Sequence, residues 1–155
     1  MTILVGYKPS AESRAALRTA LQIAERCGEN VVVLNAGPGG EHRTSSSMTE
    51  ETRRELNSIL AASSATTEFR EYARGNTTMD EFKTVAAEIR PSMIVIGIRH
   101  RSGFGRLMMG SVGDQILQEM HEPVLAVKAT QDQDLTSPDA TPEITGDADP
   151  KQVES

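Results

Sequence analysis

Hydrophobic and polar positions follow two alternating periods along residues 1–128. Short unbroken apolar runs, such as Val31-Val-Val-Leu34 and Met93–Ile98, predict strands that are buried on both faces of a sheet. Segments with apolar residues three and four positions apart predict amphipathic helices between these strands. Five strands are predicted at Thr2–Tyr7, Asn30–Ala36, Thr66–Arg74, Met93–Ile98 and Pro123–Lys128. Four helices are predicted after Ser10 up to Cys27, at Thr49–Ala61, at Thr78–Arg90 and at Ser111–Met120.

This alternation of strands and helices predicts an α/β domain over residues 1–128. Its open parallel sheet should carry helices on both faces, and its ligand should lie at the carboxyl ends of the strands, where the strand order reverses. Residues 129–155 hold seven acidic residues against Lys151 alone, so we expect a disordered acidic tail. That segment carries the whole net charge of -6. Residues 1–128 are therefore balanced in charge, and nucleic acid is not an expected partner.

Other classes of protein are disfavoured by what the sequence does not contain. No apolar run approaches the roughly 18 residues that a membrane span needs, and the first residues lack the basic start of a signal peptide. We therefore expect a cytoplasmic protein without a membrane partner. The single cysteine, Cys27, excludes an internal disulfide and a cysteine metal cluster. Neither a catalytic Ser/His/Asp or Cys/His set nor a metal-ligand spacing is evident, so we expect no catalytic residue, no protein metal site and no enzymatic activity.

A glycine-rich basic loop joins the predicted strand Met93–Ile98 to the predicted helix that starts at Ser111. Its position predicts an anion site, because backbone N–H groups and the helix dipole would face the ligand. Gly97 and Gly110 serve either a positive φ or close approach of a phosphate. Ser111 is predicted as the helix N-cap, with Asp114 at the capping-box spacing, a role compatible with phosphate contact. The loop has no acid, and its three arginines either contact the anion or face solvent: Arg99, Arg101 and Arg106.

The chain resembles the universal stress protein family. The resemblance depends on the opening Ile3-Leu-Val-Gly6, Ser10 at the first helix, the loop from Gly97 to Gly110-Ser111, and the ending Pro123-Val-Leu-Ala-Val-Lys128. In nucleotide-binding members the loop reads Gly-x2-Gly-x9-Gly-Ser/Thr. Here the outer glycines and their spacing match, and His100 replaces the middle glycine.

The resemblance implies strand order 3-2-1-4-5, as in the adenine nucleotide alpha hydrolase-like fold, and a homodimer formed through strand 123–128. It also implies ATP or another adenine nucleotide as ligand, with magnesium only as the companion of the nucleotide. Carried over by position, Gly97, His100, Gly110, Ser111 and Val112 would meet the ribose and phosphates, and the charge of the loop adds Arg99. The adenine side would meet Ala36, Ile96 and the turn Tyr7-Lys8-Pro9.

Two departures from the family pattern leave the ligand open. Lys8-Pro9 stands where the family often has Asp-Gly, so a carboxylate facing the nucleoside is replaced by a cation that could reach a phosphate. The Cβ of His100 would block backbone approach to a phosphate, or its imidazole would donate to one. One hypothesis is a nucleotide-binding stress protein that acts by conformation and protein contact. The alternatives are a dimeric interaction module without a nucleotide and a weak ATPase.

Overall fold

The computed structural model describes residues 1–36, 48–72, 76–100, 107–108 and 110–129, and within these ranges the predicted alternation of strands and helices is confirmed. One short strand is added to it. The elements are β1 (Thr2–Gly6), α1 (Ala11–Cys27), β2 (Asn30–Ala36), α2 (Glu50–Ala61), β3 (Thr67–Tyr72), α3 (Thr78–Ile89), β4 (Met93–His100), β5 (Leu107–Met108), α4 (Ser111–Glu119) and β6 (Val124–Lys128).

Five strands form a parallel sheet in the order β3-β2-β1-β4-β6, so the expected order 3-2-1-4-5 is confirmed with β6 as the fifth parallel strand. Ile3 of β1 lies opposite Val31 of β2 and Met93 of β4. The strand order therefore reverses between β1 and β4. The carboxyl ends of these two strands form the crevice where parallel sheets bind ligands.

The fourth strand is longer than predicted. The sequence pattern ends it at Ile98, but β4 continues to His100 and pairs with β5 in antiparallel fashion, with Arg99 opposite Met108 and His100 opposite Leu107. The prediction of a continuous loop is therefore wrong at these positions. Backbone pairing does not require apolar side chains, so the change to polar residues at Arg99 did not mark the end of the strand.

The strands alternate their side chains between two helical layers. Ile3, Val5 and Val33 pack with α1 and α2, whereas Leu4 and Val32 pack with α3 and α4 on the other face. Consecutive residues of β2 are buried on both sides, as the unbroken apolar run predicted. The two apolar layers pack on both faces of the sheet, so the loops at its carboxyl end are anchored to a packed core.

Three helices begin with a side-chain cap and the fourth does not. The hydroxyl of Ser10 accepts a hydrogen bond from the Ser13 N–H at 3.2 Å, which confirms the predicted cap of α1. In helix α4 the N-cap instead lies one residue before the predicted one. Its N-cap is Gly110, whose carbonyl accepts from the Asp114 N–H at 3.1 Å, and Ser111 is the first helical residue. The prediction of Ser111 as N-cap is therefore wrong, because the extended backbone ends one residue earlier.

Among the described residues, no helix has both the length and the apolar character needed to cross a bilayer. Two other predictions fall outside the part of the chain that the structure describes. These are the acidic tail beyond Ala129 and the arginines at positions 101 and 106 of the loop.

Candidate functional site

A cavity of about 230 Å³ lies at the carboxyl ends of β1, β2 and β4. It opens on the α3 and α4 face of the sheet, beside the point where the strand order reverses, as expected for this class of sheet. Apolar side chains form its floor, and residues at the start of α4 complete its lining. The residues that line the cavity, floor included, are called here the cavity wall. They are Gly6, Tyr7, Lys8, Ser13, Leu34, Ala36, Thr78, Phe82, Ile96, Gly97, Gly110, Val112, Gly113 and Ile116.

The structure brings seven of the predicted site residues together around this cavity. They come from four separate elements or turns, namely Tyr7, Lys8, Ala36, Ile96, Gly97, Gly110 and Val112. Pro9 and Arg99 are not part of the wall. His100 ends β4 and Ser111 begins α4. The predicted contacts of these two side chains lie outside the described part of the structure.

The turn after β1 is held by hydrogen bonds from two neighbouring segments. Buried Asn35 of β2 donates from Nδ2 to the carbonyl of Tyr7 at 3.0 Å. The Lys8 N–H donates to the hydroxyl of Ser13 at 3.3 Å. Lys8 is exposed, and among the described residues of the wall it is the charged one. The fold therefore fixes the backbone that carries this ammonium group at the cavity mouth.

Tyr7 contributes to the cavity wall, but its ring packs with the core cluster on the α1 and α2 face. Its hydroxyl is buried and has no hydrogen-bond partner among the described residues. Burial raises the pKa of the Tyr7 phenol, and the nearby Glu55 carboxylate adds to this effect, while Arg14 opposes it. The phenol therefore stays neutral near pH 7 and adds no charge to the cavity.

Gly97 stands where β4 touches the first turn of α1. A Cβ at this position would lie 2.4 Å from the carbonyl carbon and oxygen of Glu12 and 2.8 Å from the Ser13 nitrogen. Gly97 therefore has a steric role in helix–strand packing. The interpretation that Gly97 and Gly110 provide positive φ is wrong, because Gly28 is the glycine with that conformation in the described chain.

An ion pair links the same first turn of α1 to the end of β4. Arg99 donates to Oε1 of Glu12 from Nη2 at 3.1 Å and from Nε at 3.3 Å. The two side chains differ strongly in burial, since 67% of Arg99 is exposed and only 9% of Glu12. Of the two predicted alternatives for Arg99, solvent exposure is observed, and its guanidinium also neutralises a buried carboxylate.

This difference in burial predicts unequal effects for the two sides of the pair. We expect Arg99→Met to lower the free energy of unfolding by about 1–3 kcal/mol, because it leaves the buried Glu12 carboxylate unpaired. Glu12→Gln should cost less than about 1 kcal/mol, since it leaves no buried charge and the exposed guanidinium of Arg99 remains solvated. Urea unfolding of both variants and of the double variant measures this. If the double variant is no more stable than Arg99→Met, an unpaired buried charge does not explain the stability that the ion pair provides.

Several residues of the site were missed in the sequence analysis. Ser13 was inside a predicted helix, and its position in the first turn after the first strand was the available signal. Thr78 donates to the carbonyl of Ala36 at 3.1 Å and so connects the start of α3 to the end of β2. Phe82 and Ile116 were not named in the sequence analysis, because no local signal distinguishes such residues from the rest of the core. Glu12, the partner of Arg99, was not singled out by the sequence analysis.

Comparison with known proteins places this chain in a family. The model of the universal stress protein family matches residues 1–128. A universal stress protein of Mycolicibacterium smegmatis is 32% identical over 126 residues, which cover 81% of this chain and 96% of that relative. A universal stress protein structure from Archaeoglobus fulgidus is 31% identical with a TM-score of 0.65, covering 83% of this chain and 98% of the other.

A second structure of the universal stress protein from Archaeoglobus fulgidus is a complex with dAMP. It is 26% identical to this chain, with a TM-score of 0.60, and covers 83% of this chain and 98% of the other. The family model and the Mycolicibacterium smegmatis relative each cover most of the chain. The chain therefore belongs to the universal stress protein family.

Proposed function

We propose that the cavity binds an adenine nucleotide and that the protein acts through this binding and through contact with other proteins, without turning the nucleotide over. The observation that carries the proposal is the position of the cavity. It joins an apolar floor at the ends of β1, β2 and β4 to the start of α4, with Lys8 at its mouth. A nucleotide has the same division into a flat, weakly polar base and an anionic phosphate.

The phosphate would lie at the start of α4. Gly110 caps this helix in an extended conformation, with φ -62° and ψ 163°, and makes no side-chain cap hydrogen bond. Val112 and Gly113 of the first turn belong to the cavity wall. Free N–H groups at a helix start and the helix dipole together favour an anion, and Lys8, on the turn after β1, adds a positive charge to the cavity wall.

The base would lie on the apolar floor. Leu34, Ala36, Phe82, Ile96 and Ile116 supply side chains from four strands and helices, and each is at least nine-tenths buried. An adenine placed there would cover apolar surface, which stabilises binding in proportion to the area removed from water. The dAMP complex of the Archaeoglobus fulgidus relative, at 26% identity, supports an adenine nucleotide as the ligand class.

Calorimetric titration tests the proposal. AMP and ATP should bind with a Kd near or below about 10 µM, roughly −7 kcal/mol, and adenosine should bind more weakly. Inorganic phosphate and GMP serve as control ligands, and each titration is repeated with magnesium. A parallel assay of phosphate release from ATP should stay at background, whereas steady turnover would favour the weak ATPase. Absence of heat up to millimolar AMP and ATP would contradict nucleotide binding and favour the dimeric interaction module.

Lys8 gives a second prediction for the same site. Lys8→Met should weaken AMP about three- to fivefold, because an exposed charge near a phosphate contributes on the order of 0.5–1 kcal/mol. Adenosine, which has no phosphate, should be unaffected. Arg26→Met is a charge-matched control, since Arg26 is exposed near the far end of α1. An equal loss for AMP and adenosine would show that Lys8 does not act on the phosphate.

The proposal includes the homodimer through strand 123–128. In the described structure β6 pairs with β4 on one side and forms the edge of the sheet on the other. Leu125 and Val127 are only partly buried there, so antiparallel pairing with a second copy would satisfy backbone groups and cover apolar surface. Sedimentation equilibrium should give twice the mass of one chain, and Ala126→Lys on the exposed edge should shift it toward one chain. Leu117→Lys on α4 is the matched control. A single-chain mass for the unmodified protein would contradict the dimer.

A further inference from the structure

The ion pair between Glu12 and Arg99 joins parts of the chain that are 87 positions apart in sequence. Glu12 is buried and lies in the first turn of α1. Both hydrogen bonds from the guanidinium end on one carboxylate oxygen, Oε1. The guanidinium is therefore held in one orientation by an acceptor that is itself enclosed by the fold.

This pair lies between two parts of the cavity wall. On the α1 side, Ser13 follows Glu12 and lines the cavity. On the β4 side, Gly97 lines the cavity and lies two residues before Arg99. The close packing of Gly97 on the main chain of Glu12 leaves room for no side chain between them. The ion pair therefore extends the contact between α1 and β4 that begins at the cavity wall.

Arg99 also begins the antiparallel pairing of β4 with β5. Its partner in that pairing is Met108, and the chain continues from there to Gly110, the N-cap of α4. The paired residues Arg99, His100, Leu107 and Met108 form the base of this hairpin. The hairpin base therefore lies between Gly97 and Gly110 in the chain, and both of these glycines line the cavity. Any rotation of the hairpin base against α1 changes where the start of α4 stands relative to Lys8.

We propose that Glu12 is a positioning residue for the anion-binding end of the cavity. Through Arg99 it holds the hairpin base against α1, and so sets the position of Gly110 and the start of α4 for a phosphate group. This inference rests on the proposed function for its ligand. It adds a residue that belongs to no part of the glycine loop and that does not itself touch the ligand.

We expect loss of the ion pair to weaken binding of the phosphate group and to leave binding of the base nearly unchanged. The base end of the cavity is built from apolar side chains of β2, β4, α3 and α4, which belong to the layer on the opposite face of the sheet from α1. Loss of the ion pair should therefore loosen the hairpin base and the phosphate end, while the floor keeps its shape. A general loss of folding would weaken both ends together.

The test compares Glu12→Gln with the unmodified protein in two measurements. Amide hydrogen exchange without ligand reports on the β4–β5 pairing, at Arg99, His100, Leu107 and Met108. Calorimetry with AMP and adenosine reports on the two ends of the cavity. Glu71→Gln is the matched control. Glu71 accepts hydrogen bonds from two guanidinium nitrogens of Arg53, and this pair links β3 to α2. Neither residue lines the cavity.

In Glu12→Gln we expect faster exchange in the β4–β5 pairing and an AMP affinity that is about three- to tenfold lower, with adenosine changed less than twofold. In Glu71→Gln neither measurement should change. Unchanged exchange, an equal loss for AMP and adenosine, or a tighter AMP complex would each overturn the positioning role. If AMP and adenosine do not bind even the unmodified protein, the proposed function fails, and the role of Glu12 in phosphate binding fails with it.

Discussion

Replacing Gly97 by alanine should lower the free energy of unfolding by about 3 kcal/mol or more. The new Cβ would lie 2.4 Å from main-chain atoms of Glu12, and backbone in a helix turn cannot move aside as the end of a side chain can. Overpacking in a rigid core costs about 1–3 kcal/mol and sometimes more. Here either β4 or the first turn of α1 must shift, and both are held by long-range contacts.

Two other glycines provide the controls for this prediction. At Gly6 an added Cβ would meet the ring tip of Phe82 at 2.7 Å, and this ring can tilt, so Gly6→Ala should cost less. At Gly110 no atom of the described residues lies within 4 Å of the added Cβ and the backbone is extended, so Gly110→Ala should change stability by less than about 1 kcal/mol. Urea unfolding of the three variants measures the order. If Gly97→Ala is as stable as Gly110→Ala, close packing does not explain the first glycine of the loop.

Gly110→Trp should lower AMP affinity at least about tenfold, or 1.4 kcal/mol, while leaving the fold intact. Among the described residues no atom lies within 4 Å of a Cβ at Gly110, and the backbone there is one that any residue adopts, so the helix start tolerates a side chain. Because Gly110 lines the cavity beside the first turn of α4, an indole there would occupy the volume assigned to the phosphate.

The matched control introduces the same indole on the same helix away from the cavity. Leu117 is 44% exposed and does not belong to the cavity wall, so Leu117→Trp should bind AMP as the unmodified protein does. Circular dichroism and urea unfolding confirm that both variants are folded. AMP affinity that survives Gly110→Trp unchanged would remove the cavity from the proposed function, even though the fold and the family assignment would stand.

Local patterns were sufficient for most of the fold. The apolar run Val31–Leu34 identified a strand covered on both faces, and its residues are buried as expected. Ser10 identified the start of α1, because a cap depends on residues three positions apart. The alternation of strands and helices then restricted the topology to a parallel sheet. The site was likewise expected at the carboxyl end of the sheet, where the cavity lies.

The sequence alone thus determined the elements, the parallel sheet and the end at which the cavity forms, because each depends on polarity and capping over a few neighbouring residues. Tertiary structure decided the pairing of Arg99 with Glu12 and with Met108, the steric role of Gly97, and the cap at Gly110. These depend on distances between segments that only the packed sheet brings together. A lone arginine, glutamate or glycine has the same local pattern whether it faces solvent or closes a contact 87 residues away.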